Sequence, residues 1–158
     1  MRKLLIPAVL AVAMMGGAAV AVAADSDPVI GSWQLNAAKS TWTSGPAVKS
    51  QNRTYSQSGP SISVVIKSTG ADGKEATTQT TYQLDGKDYP VTGAPDYDSI
   101  SGKQVNPRTA TFTLKKAGKA VGTTTRTVSK DGKLLTSKAS LTTAKGDKTE
   151  NVMVFDKQ

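Results

Sequence analysis

Thr109-Ala110-Thr111-Phe112-Thr113-Leu114-Lys115 places an apolar residue at every even position and a polar one at every odd position. A period of two is what a half-buried β-strand requires, because successive side chains leave opposite faces of a sheet. Similar runs are Ser61-Ile62-Ser63-Val64-Val65-Ile66, Thr80-Thr81-Tyr82-Gln83-Leu84, Ser137-Lys138-Ala139-Ser140-Leu141 and Asn151-Val152-Met153-Val154-Phe155. Counted from Val29-Ile30-Gly31-Ser32-Trp33-Gln34-Leu35, the chain offers eight to ten strands, and Asn36-Ala37-Ala38-Lys39-Ser40 is the single helical candidate, one short turn.

Glycine sets the rhythm of these runs. Asp-Gly-Lys occurs at Asp72-Gly73-Lys74, Asp85-Gly86-Lys87 and Asp131-Gly132-Lys133, with related pairs at Ala117-Gly118 and Lys145-Gly146-Asp147. Asp-Gly between extended runs predicts a two-residue hairpin turn. Glycines 59, 73, 86, 102, 118, 132 and 146 are separated by 14, 13, 16, 16, 14 and 14 residues, the spacing of consecutive hairpins. A long meander keeps exposed edges unless its sheet closes, so the expected fold is all-β, an antiparallel up-and-down meander closed into a barrel of 8–10 strands. A Greek-key sandwich is the alternative, with longer crossovers than these connections provide.

Composition agrees with that class. Residues 25–158 hold 10 Val, 4 Ile, 6 Leu and 2 Phe, a thin apolar supply, but also 20 Thr and 15 Ser. Thr is β-branched and favours strands. There is no Cys and no His. Those two zeros exclude Ser-His-Asp and Cys-His nucleophiles, thiol redox chemistry, Cys/His zinc sites and His- or Cys-ligated haem, and no cofactor is expected. A non-enzymatic role follows.

The start of the chain reads as an export leader. Met1-Arg2-Lys3 is a positive start, Leu4 to Val22 is almost uninterruptedly apolar, and Ala21-Val22-Ala23 has the small-x-small form of a cleavage site. Residues 1–24 are therefore expected to be a signal peptide and 25–158 a single domain, periplasmic or secreted, with no integral membrane span after cleavage. Loss of Arg2 and Lys3 lowers the basic count from 20 to 18 and, against 12 acidic residues, the net charge from +8 to +6. Lys74, Lys87, Lys103, Lys119, Lys133 and Lys145 lie beside Gly turns and only Lys115-Lys116 are adjacent, so there is no basic stripe, which argues against nucleic acid and leaves contact with an anionic envelope surface open. A monomer is expected.

Val29-x-Gly31-Ser32-Trp33-Gln34-Leu35-Asn36 resembles the Gly-x-Trp opening of lipocalins and fatty-acid-binding proteins, the calycin barrels, and Thr125 to Leu134 with Val154-Phe155-Asp156-Lys157 looks like their last hairpins. The pattern is most similar to exported bacterial lipocalin-like proteins. The resemblance implies a lipocalin-like barrel in which Gly31 and Trp33 are structural, with Trp33 under the closed end, and a cavity for a small hydrophobic or amphipathic ligand; the alternative is a filled barrel serving as a non-catalytic structural or interaction domain of the cell envelope. The chain departs from fatty-acid-binding proteins in two places: Asn36 to Lys49 is too short for a two-helix lid, and Val154-Phe155-Asp156 lacks the Arg-x-Tyr that holds a ligand carboxylate in that family.

Three residues are candidates for ligand contact. Trp42, read as lying in a loop after the first strand, is placed to rim a cavity mouth. Arg126 shares a strand face with Gly122, Thr124 and Val128; if that face is inward, Arg126 and Thr124 offer donors to an anionic group, the competing reading being an ion pair or solvated arginine. Asp96-Tyr97-Asp98-Ser99 holds the densest carboxylates, but Ile100-Ser101-Gly102 breaks a calcium-loop pattern and no metal site is expected.

Overall fold

The structure, a computed structural model, describes residues 25–158; the leader expected over residues 1–24 lies outside the described residues. The alternating segments form eleven strands: β1 Gly31–Leu35, β2 Thr41–Ser44, β3 Val48–Ser58, β4 Ser61–Gly70, β5 Glu75–Tyr82, β6 Asp85–Thr92, β7 Ser99–Asn106, β8 Thr109–Lys116, β9 Lys119–Val128, β10 Leu134–Thr142 and β11 Lys148–Lys157. A single 3₁₀ turn, Ala37–Lys39, interrupts β1 and β2, with the Asn36 side chain accepting a hydrogen bond from the Lys39 amide. Strands β3 to β11 pair with their sequence neighbours, and β1 pairs with both β3 and β11. The sheet is therefore a closed antiparallel barrel of ten strands with β2 as one extra strand. β1 faces Phe155 to Lys157 on β11, while β2 faces Glu150 to Val152 farther along the same strand, so the two lie end to end across the 3₁₀ turn.

The core follows the strand pleat. On β8 the buried residues are Ala110, Phe112 and Leu114, the even positions of the alternating run. Trp33, Phe155, Leu135, Val29 and Val128 are the largest side chains with essentially no exposure. They come from the β1 end of the barrel, where β11 finishes, β9 finishes and β10 begins, and they close it. The indole of Trp33 donates to the Val29 carbonyl at 2.6 Å, which satisfies its one polar group inside that plug.

Three local expectations need correction. The tight two-residue turn expected at Asp-Gly is not what forms at Asp72-Gly73: Gly73 donates to the Gly70 carbonyl and Gly70 to that of Lys74, giving a longer loop in which Gly73 adopts φ 80°. That conformation costs a side-chain-bearing residue but not glycine. Asp85-Gly86-Lys87 is not a turn at all but the start of β6, where Asp85 pairs with Lys103 and the register shifts before Asp88. Pairing with the neighbour on the far side outweighs the local turn preference there. Trp42, expected in a loop, likewise stands on β2 because that segment pairs with β11.

Gly93, between β6 and β7, shows how closely the chain packs: its φ is 81°, and a Cβ there would stand 1.9 Å from the Thr77 carbonyl oxygen. Gly93→Ala is expected to lower stability by about 2 kcal/mol or more, read as a shift of the urea midpoint. A midpoint within error of the parent would show that the loop moves freely.

Candidate functional site

The barrel encloses a cavity of about 240 Å³, with Tyr82 and Arg126 toward the closed end and Ser68, Leu141 and Thr149 toward the other. Its wall is mixed. Val64, Ile66, Ile100 and Leu114 give it apolar surface, and Gln51, Arg53, Tyr55, Tyr97, Thr124, Ser137 and Asn151 place polar atoms along it. β3, β4, β5, β8, β9, β10 and β11 contribute alternate residues, since only one face of each can point inward.

Arg126 enters from β9 and is bound on two sides. Its Nη2 donates to Asp27 Oδ2 at 2.8 Å and its Nη1 to the Tyr82 hydroxyl at 2.6 Å. The side chains of Arg126 and Asp27 are 6% and 11% exposed, so this is a buried ion pair. Asp27 is itself held: its Oδ1 accepts from the Val29 amide at 2.9 Å and its own amide donates to Gln57 Oε1 at 3.0 Å. The short segment before β1 thus reaches across the closed end to neutralise an arginine on β9. Aromatic faces complete the setting, with the guanidinium carbon 5.5 Å from the Phe112 ring and 5.7 Å from that of Tyr55. Burial works against the charged form of Arg126, but Tyr82, Tyr55 and Asp27 together outweigh it and keep the cation above its ordinary value.

Arg53, on β3, is equally buried at 8% exposure but differently served. Its Nε donates to Gln51 Oε1 at 2.8 Å and its guanidinium lies 4.3 Å over the ring of Phe155. Among the described residues it forms no ion pair.

The three candidate contact residues have different places. Arg126 and Thr124 both line the lumen, and Thr124 Oγ1 is 3.3 Å from Ser137 Oγ. Trp42 packs against the core from β2 and is not among the lining residues; its Nε1 is buried without a partner. Gly31 opens β1 beside Lys157, and Trp33 is the plug already described. Asp96 and Asp98 accept the amides of Ala144 and Ala117 and so pin loops. Between them Tyr97 turns into the cavity.

Sequence reading missed Arg53, Tyr97 and Asp27. Gln51-x-Arg53-x-Tyr55 does carry a signal, a strand whose inward set is polar and aromatic, but only the closed sheet shows that this set is the buried one.

No protein-family model matches the chain, and no curated protein matches it. Solved structures do. One, described as EF1p2_mFAP2b bound to DFHBI, aligns at a TM-score of 0.51 with 11% identity and covers 83% of this chain and 94% of that one. A redesigned β-barrel, mFAP1, bound to DFHBI, aligns at a TM-score of 0.45 with 15% identity, covering 82% of this chain and 95% of that one. The first likeness shows the fold. The chain is a closed antiparallel barrel of ten strands with one extra strand.

Two predictions follow from the buried groups. Asp27→Asn leaves the Arg126 cation buried without its counter-charge and is expected to cost about 3–5 kcal/mol in chemical denaturation. The double variant Asp27→Asn with Arg126→Met is expected to recover most of that loss; a double variant no more stable than the single one would mean that Asp27 acts through the Val29 turn alone. The phenols of Tyr82 and Tyr97 are raised above the ordinary value of 10.0, in both cases chiefly because burial disfavours the phenolate. The neutral phenol is thus favoured in the fold, so this stabilisation is complete below pH 10.0 and is lost as the pH rises beyond it. Phenolate absorbance of the folded protein should develop at higher pH than in concentrated urea, and Tyr82→Phe should remove part of the late rise. Coincident titration curves would contradict the assignment.

Proposed function

We propose that the protein is an exported lipocalin-like barrel that takes a small hydrophobic or amphipathic molecule into its lumen. The observation that carries this reading is the cavity of about 240 Å³ inside a closed barrel, with a wall that mixes apolar and polar side chains. Ligand sites are concave, mostly apolar and fixed in orientation by a few polar groups. A barrel serving only as a scaffold would fill its interior with side chains, as small barrels do. Among the neighbours, the structure aligned at a TM-score of 0.51 is described as bound to DFHBI.

Export rests on the leader pattern of residues 1–24 and sets the setting as periplasmic or extracellular. The chain works by binding and not by catalysis, since its sequence contains neither His nor Cys to act as base or nucleophile near neutral pH. It acts as a monomer, with the lysines scattered over its turns keeping it soluble.

The test uses the protein recovered from the exporting cell. Its intact mass should match a chain beginning at Ala24 or Asp25, native mass spectrometry should reveal a co-purifying small molecule, and a lipophilic naphthylamine dye should bind saturably with a blue shift. Ala139→Trp, which fills the lumen from β10, is expected to reduce dye binding at least tenfold with stability retained. The proposal fails if no molecule co-purifies and the dye signal is absent, or if the Trp variant binds the dye as well as the parent.

A further inference from the structure

Two arginines are buried in this barrel, and only one of them is neutralised. Arg126 has Asp27 at 2.8 Å, and that pair carries no net charge. Arg53 has no carboxylate partner among the described residues. Its Nε is committed to Gln51, while Nη1 and Nη2 make no hydrogen bond to the described residues. One side of its guanidinium is closed by the Phe155 ring at 4.3 Å. What is left free is the outer edge of the guanidinium, the fork of two nitrogens, and Arg53 belongs to the wall of the cavity.

A buried charge is costly unless it is paired. Stacking on an aromatic face and one neutral hydrogen bond offset only part of that cost. Among the described residues no carboxylate forms a salt bridge with Arg53: Asp96 accepts the Ala144 amide, and Asp156, next to Phe155 in sequence, holds Asn36 and Lys39. The cavity wall therefore carries one cation without a paired carboxylate among the described residues, its two terminal nitrogens lying in one plane and free of protein partners. The phenol of Tyr97 lines the same cavity, close enough for the field of Arg53 to act on it, and Tyr55 stands two residues along the same strand face.

Resting on the reading of the lumen as a ligand site, we propose that Arg53 is the anchor for an amphipathic monoanion, whose carboxylate meets the Nη1/Nη2 fork while its apolar part lies along Val64, Ile66, Ile100 and Leu114. A carboxylate matches that fork with two parallel hydrogen bonds, which a neutral hydroxyl cannot do. One compensating charge is required and no second cation is free in the lumen, so a dianionic head has no advantage. Arg126 plays no part in anchoring, because taking it would break its pair with Asp27. The ligand would thus complete in trans what Asp27 supplies to Arg126 in cis. Arg53 is a binding residue in this assignment, and Gln51, which holds its Nε, is a positioning residue.

The experiment compares octanoate, 1-octanol and octyl phosphate by isothermal titration calorimetry on the unmodified chain freed of its leader. Octanoate is expected to bind at least tenfold more tightly than 1-octanol, and octyl phosphate no more tightly than octanoate. In Arg53→Met the preference for octanoate should vanish while 1-octanol binding stays within about threefold; Arg53→Lys, which keeps the charge but not the fork, should keep part of it. Equal affinity for the acid and the alcohol in the parent overturns the anchor while leaving a ligand-binding lumen standing. Octyl phosphate binding tenfold better than octanoate overturns the monoanion assignment. Failure of all three compounds, together with the dye, removes the ligand-binding reading itself. Because the acid–alcohol comparison is made on the parent chain, it decides the matter even if Arg53→Met does not fold.

Discussion

Everything about the interior depends on β1 pairing twice, with β3 on one side and β11 on the other. That double pairing turns a meander into a tube. It removes the free edges on which a ten-strand sheet would otherwise aggregate, and it makes the inward faces of all strands a single continuous surface. A side chain pointing inward from β3 then meets one from β11, as Arg53 meets Phe155, although the two residues are about a hundred positions apart. Closure also sets a finite space, which the thin supply of large apolar residues does not fill. The result is a plugged end and a hollow middle.

The plug and the hollow are balanced by charge. At the closed end the chain spends its best packing, with Trp33, Val29, Phe155, Leu135 and Val128 all out of contact with water. Beside them, Asp27 and Arg126 tie the segment before β1 to β9, with Tyr82 as a third partner. An ion pair of this kind is weak evidence for stability by comparison with apolar residues of the same size, but removal of either member is severe. It therefore acts less as glue than as a condition on where the N-terminal segment must lie. Arg53 is the contrasting case, one cation for which the fold supplies an aromatic face and an amide but no anion.

Much of the wall was legible in advance. Strands β4, β8, β10 and β11 and the end of β5 coincide with alternating runs, since a half-buried sheet face imposes its period on the sequence, and the short turn at Asn36 to Ser40 was readable from its composition. Turn chemistry was less reliable. Asp85-Gly86 has the local preference for a hairpin, yet its pairing with β7 draws it into β6, and Thr41–Ser44 becomes a strand only because β11 extends past the end of β1. In both places a partner distant in sequence outweighs a local propensity of a few tenths to about one kcal/mol.

The sequence by itself determined the class of the fold: period-two runs, regular glycine spacing and abundant threonine admit a closed antiparallel meander and little else, and the lack of histidine and cysteine limits what chemistry it can perform. It also marked Arg126 and Thr124 as sharing a face. Only the tertiary structure decided which face is inside, and with it which polar residues are buried. Alternation is symmetric, so a strand such as Gln51-Asn52-Arg53-Thr54-Tyr55, polar on both sides, reads the same whichever way it is turned. Closure of the barrel breaks that symmetry, gives Arg126 its aspartate and leaves Arg53 facing an open lumen without one.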